Sequence, residues 1–170
     1  MRLAGLIAAV HSPFDDSGEL QLSAVERQAQ LMVSQGVAGV FICGSTGESH
    51  SLSVGERQDL SERWLQVLRG GSVMPIVHVG SNCLRDSRQL AAHAEKIGAV
   101  AIAAQAPSYF RPRSVAELCD WCEQVAAAAP GTPFYFYDIP VMTGVNLSMP
   151  DLLQRAGERI SNFRGLKFTN

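Results

Sequence analysis

A lysine close to the end of the sequence, Lys167 in "GLKFTN" (Gly165 to Asn170), stands on an apolar strand pattern. A lysine at the carboxyl end of such a strand faces a region poor in water. Burial there disfavours the ammonium form, and a neutral amine attacks a ketone to form a Schiff base. The plainer alternative is a strand-end lysine reaching back to solvent. Tyr137 ends the preceding strand pattern, so its phenol can meet that amine and serve as general acid and base beside an iminium. The alternative is an aromatic cap on the core with its hydroxyl in water. Tyr135 alternates onto the same face one layer deeper and reads as packing. "GSTGE" (Gly44 to Glu48) supplies two glycines for a tight turn and close ligand approach. Its backbone N–H groups and the hydroxyls of Ser45 and Thr46 suit a carboxylate or phosphate, unless the stretch is an ordinary turn. No lysine follows the second glycine, so it is not a Walker A loop, and it is not a G-x-S-x-G elbow. Glu48 either orients the loop or faces solvent.

The remaining reactive groups carry less. Cys119 and Cys122 form a C-x-x-C inside a helical pattern without a second pair, which reads as packing rather than zinc or thiol redox. His78 and His93 read as core or rim residues, whereas His11 and His50 fall after strands and can line a pocket. No spacing of carboxylates and histidines suggests a metal site.

These residues are positioned by an alternation of short apolar strands and helices. Strands are expected at Leu6–Val10, Gly39–Cys43, Pro75–Val79, Ala99–Ala104, Pro133–Tyr137 and Phe163–Phe168. Ser23 with Glu26, Ser53 with Glu56 and Ser114 with Glu117 read as capping boxes opening three of the intervening helices. The strands barely alternate, as parallel strands covered on both faces do. Strands separated by helices give an α/β fold with a parallel sheet, and spacing alone leaves a doubly wound sheet or a (β/α)8 barrel. The polar residues gather at the carboxyl ends of several strands, which favours the barrel. Six units of eight would be present, so residues 1–170 are expected to be the N-terminal part of a longer single barrel domain.

Composition sets the outer bounds. The 170 residues are 46% hydrophobic and 18% charged, with net charge −2 and no basic run, so nucleic acid is not an expected partner. No apolar run approaches the ~20 residues of a membrane span. "MRLAGLIAAV" reads as a first strand rather than a signal peptide. Four cysteines do not make a disulfide framework in a chain this long, and a reducing cytoplasm is expected.

Taken together, "GSTGE", "APSYFRP", "YDIPVMTG" and "GLKFTN", in this order, resemble the class I, Schiff-base aldolase family of sialic acid lyases and dihydrodipicolinate synthases. The resemblance covers essentially the whole chain and implies a (β/α)8 TIM barrel followed by C-terminal helices. It implies that Lys167 is the Schiff-base lysine and Tyr137 the proton shuttle. Ser45 and Thr46 would bind a pyruvate carboxylate, with Ser45 also relaying protons to Tyr137. Tyr109, after Ser108, matches an aromatic that in the synthases enters a neighbouring subunit's site. Thr169 matches a lyase position touching the sugar. Met142 stands where synthases usually carry arginine, and Phe168 where they often carry an acid, so the lyase branch fits better. Asp138 replaces an Asn or His of relatives and would point away from the barrel interior. The implied reaction is reversible retro-aldol cleavage of a sialic acid to N-acetyl-D-mannosamine and pyruvate, by a homotetramer and with no metal or organic cofactor. Dihydrodipicolinate synthase or another pyruvate-dependent sugar-acid aldolase is the alternative within the family, and a non-catalytic keto-acid binding protein the alternative outside it.

Overall fold

The computed structural model describes residues 3–169. Six strands alternate with helices: β1 (Ile7–Ala9), α1 (Val25–Ser34), β2 (Gly39–Ile42), α2 (Val54–Leu68), β3 (Met74–His78), α3 (Leu84–Ile97), β4 (Ala101–Gln105), α4 (Val115–Ala126), β5 (Phe134–Asp138), a single turn α5 (Pro140–Thr143), α6 (Met149–Arg159) and β6 (Phe163–Phe168). The strand order is β1-β2-β3-β4-β5-β6. A doubly wound sheet reverses its order at a switch point, and this sequence of strands has none. The order is that of consecutive β/α units in a (β/α)8 barrel.

The chain divides into two compact units, Met1–His78 with Ile97–Val100, and Val79–Lys96 with Ala101–Asn170. In the first, β2 lies parallel to β1 (Ala9 beside Phe41) and to β3 (Ile42 beside Val77). Every residue of β2 is buried, so a continuous apolar run is what the position requires. Helix α2 starts where the S-x-x-E pattern places it. Ser53 accepts from the Glu56 N–H, and the Glu56 carboxylate accepts from the Ser53 N–H at 2.7 Å.

Helix α1 departs from expectation. A 3-10 turn, Leu22–Ala24, leads into it, so Ser23 lies within a turn and makes no cap. Glu26 pairs with Arg63 of α2 instead of closing a box. Strand β1 also differs, because Leu6 and Ile7 are exposed rather than covered on both faces.

In the second unit, β4, β5 and β6 run parallel, with Gln105 beside Tyr137 and Tyr137 beside Lys167. Helices α4 and α6 pack together, and Arg159 bridges them through Asp120 (2.7 Å) and Glu123. Asn162 donates to the carbonyls of Ala126, Ala129 and Thr132, closing the end of α4 just before β6 begins. Ser114 caps α4 by accepting from the Glu117 N–H, but Glu117 reaches the Arg113 N–H, one residue earlier than a capping box requires.

Candidate active site

The second unit brings Lys167 and Tyr137 side by side through an irregularity in β6. Phe134 pairs with Phe163, but the next residue, Tyr135, pairs with Gly165. Arg164 is the extra residue of a β-bulge, and its guanidinium folds back onto the carbonyls of Ser161 (3.0 Å) and Phe163 (2.7 Å). Gly165 has φ +137°, a backbone conformation that favours glycine. Side chains alternate with a period of two, so one inserted residue decides which face each later residue uses. Unbulged pairing would set Leu166 beside Tyr137 and turn Lys167 to the opposite face. With the bulge, the Lys167 Nζ lies 3.5 Å from the centre of the Tyr137 ring. The expected meeting of the two side chains occurs, and it uses the ring face, in a cation–π contact. Tyr137 is 3% exposed and Lys167 half-buried.

Thr169 holds the end of this pair in place. Its N–H (3.1 Å) and its hydroxyl (2.6 Å) both donate to the Asp138 carbonyl. The β5–β6 ladder therefore continues past the lysine. Asp138 is buried. Asn170 lies outside the described residues.

The "GSTGE" turn belongs to the first unit. Cys43, which precedes it, has φ +56°, and Glu48 has φ +54°. Both glycines are required by close approach. A Cβ on Gly44 would sit 2.6 Å from the Phe41 ring, and one on Gly47 would sit 3.0 Å from the Val10 carbonyl. Ser12 donates to the Gly47 carbonyl at 2.6 Å, and the Glu48 N–H to the Ser45 carbonyl at 3.1 Å. Ser45 is half-buried and Thr46 exposed. Burial pushes the Cys43 thiol up, with the Arg57 charge acting in the opposite direction. Partial burial, then the Arg57 charge, holds His50 below its ordinary value.

Tyr109 projects into solvent, 79% exposed, with Phe110 edge-on to its ring at 5.0 Å. The turn that carries it is fixed by Asn82, whose Oδ1 accepts from the Ser108 N–H (2.7 Å), the Ser108 hydroxyl (3.2 Å) and the Tyr109 N–H (3.1 Å). The sequence reading missed Asn82, because its partners lie 26 and 27 residues away and no local pattern marks them.

His78 is fully buried and His93 half-buried, as core and rim residues. Cys119 and Cys122 are buried in α4 with thiols raised by burial, which fits packing. Among the described residues, no group of three or more His, Cys, Asp and Glu could hold a metal ion. No helix among them is long and apolar enough to cross a membrane.

The match to known families is decisive on kinship. The model of the dihydrodipicolinate synthetase family matches residues 2–170. The chain belongs to this family. It is 42% identical over 170 residues to N-acetylneuraminate lyase A of Xenopus laevis, covering 99% of this chain and 56% of that protein. Among solved structures, Proteus mirabilis N-acetylneuraminate lyase superposes with TM-score 0.96 at 36% identity, covering 100% of this chain and 57% of that one. A dihydrodipicolinate synthase superposes with TM-score 0.91 at 30% identity, covering 99% and 57%. The fold is therefore the (β/α)8 barrel of this family, represented by six β/α units. The chain spans about half the length of the curated relatives it matches.

Proposed function

We propose that the full-length protein is a carbon–carbon lyase that cleaves N-acetylneuraminate to N-acetyl-D-mannosamine and pyruvate, in the reversible manner of a Schiff-base aldolase. The observation that carries the reading is the pairing of Lys167 with Tyr137 across the bulge. Similarity at about 40% identity to proteins named N-acetylneuraminate lyase supports the choice of substrate.

In this reading the Lys167 amine adds to the C2 ketone of the open-chain sugar acid and expels water, leaving an iminium. Tyr137 takes the proton of the C4 hydroxyl. The C3–C4 bond breaks, its electron pair flows into the iminium to give an enamine, and the aldehyde sugar departs. The enamine takes back a proton at C3, and water releases pyruvate and the free amine. Ser45 and Thr46 hold the carboxylate, Ser45 relays protons to Tyr137, and Thr169 meets the sugar, so that positioning supplies much of the rate. The iminium formed on Lys167 is the electron sink, and the mechanism uses no metal or organic cofactor. We place residues 1–170 at the N-terminal part of one barrel domain of a cytoplasmic homotetramer, with Tyr109 at a subunit contact.

The deciding experiment incubates the full-length protein with pyruvate and sodium borohydride and maps the product by peptide mass. A reduced pyruvate adduct on Lys167 is expected. A folded protein without one refutes the mechanism and favours a keto-acid binding protein. Cleavage of N-acetylneuraminate against condensation of pyruvate with an amino-acid semialdehyde then separates the lyase from a synthase.

A further inference from the structure

Behind the "GSTGE" turn lies a buried polar chain that the reaction scheme does not use. Arg57 of α2 is 4% exposed and His78 of β3 is 0% exposed. The Arg57 Nη2 donates to the His78 carbonyl at 2.7 Å and lies 3.3 Å from the His78 Nδ1. The Arg57 carbonyl in turn accepts from the Ser61 hydroxyl at 2.7 Å. The His78 Nδ1 lies 2.8 Å from the Cys43 carbonyl oxygen. A carbonyl only accepts, so Nδ1 carries the proton and donates it there. The His78 ring also stands 6.0 Å from the Phe41 ring, the ring that Gly44 is small enough to meet.

We propose that His78, held by Arg57, is a positioning residue for the Ser45–Thr46 turn. Cys43 is a non-glycine residue with φ +56°, a conformation that L residues adopt at a cost and that needs a holding contact. The peptide joining Cys43 to Gly44 is planar and trans, so its C=O and N–H point in opposite directions. Pinning the Cys43 oxygen on His78 therefore fixes the direction of the Gly44 N–H and the start of the turn behind it. Arg57 fixes the end of β3 from which the imidazole projects. The inference rests on the reading that this turn binds the keto-acid carboxylate.

The test compares two ketones in borohydride trapping on the full-length protein. Pyruvate carries the carboxylate, and acetone lacks it. His78→Gln moves the donor away from the Nδ1 position and should raise the pyruvate concentration for half-maximal trapping by about three- to tenfold, the effect of one lost hydrogen bond. Acetone trapping should stay at the wild-type rate. His78→Asn, whose amide nitrogen takes the Nδ1 position, should restore pyruvate saturation. If His78→Gln does not fold, Arg57→Lys reads the same split with a smaller rise. Unchanged pyruvate saturation in these variants overturns the inference while leaving the lyase reading intact. Equal loss of both ketones in a folded variant overturns it too, because that is general destabilisation. A wild-type protein that traps neither ketone refutes the lyase reading, and the positioning role falls with it.

Discussion

Gly165→Ala tests whether the bulge sets the chemistry. Space is not the obstacle, because the nearest atoms to a Cβ at Gly165 are in the Tyr135 ring at 3.9 Å, an ordinary contact. The obstacle is φ +137°, which an alanine adopts only under strain of about 1–3 kcal/mol. Each kcal/mol lowers Tm by about 2–4 °C in a chain of this size, so a drop of roughly 2–12 °C is expected by thermal melt. The chain can relieve the strain by losing the bulge, and that shift turns Lys167 away from Tyr137. The same strain felt at Lys167 corresponds to about a five- to 150-fold loss of pyruvate trapping, read at a temperature where the variant is folded. A variant with lowered Tm and undiminished trapping would refute the link between bulge and lysine. A variant with wild-type values of both would refute the strain as well.

Two further predictions address the phenol and a helix start. Tyr137→Phe keeps the ring under Lys167 and loses the hydroxyl, so the borohydride adduct with pyruvate should persist while kcat for cleavage falls by about a hundred- to ten-thousand-fold. Equal loss of adduct and turnover would assign Tyr137 to packing alone. Ser53→Ala should destabilise the protein by about 0.5–2 kcal/mol in denaturant titration. The Ser53 hydroxyl, then its N–H, holds the Glu56 carboxyl below its usual value. That contribution is present above the unfolded carboxylate range and is lost as pH falls through the folded value. The difference between wild type and Ser53→Ala should therefore narrow on acidification. A difference constant down to pH 3 would show that Glu56 adds nothing.

The legible parts of the sequence were those written within a few residues. Capping at Ser53 was legible because Ser and Glu three apart satisfy each other locally. The same spacing misled at Ser23, because Glu26 had a better partner on another helix, in Arg63. The neighbouring strands of Tyr137 and Lys167 followed from chain order. The face each residue uses did not, since parity in β6 depends on Arg164 being extra. Gly165 inside a strand was the available signal for that bulge. The links from Arg57 to His78 and from His78 to Cys43 span 21 and 35 residues, and only tertiary structure brings such pairs together.

The double bond from Thr169 to the Asp138 carbonyl has a bearing on entropy. With the ladder closed beyond it, Lys167 has no fraying backbone to lend it motion, and its reach comes from its own four-carbon arm. A free lysine side chain carries about 2 kcal/mol of rotamer entropy. Resting on the Tyr137 ring, the arm has surrendered part of that freedom during folding, before any ketone arrives. On the proposed Schiff-base mechanism, the amine then needs less ordering when it meets a ketone, and the Tyr137 ring is a cradle for the arm as well as the carrier of the proposed proton shuttle.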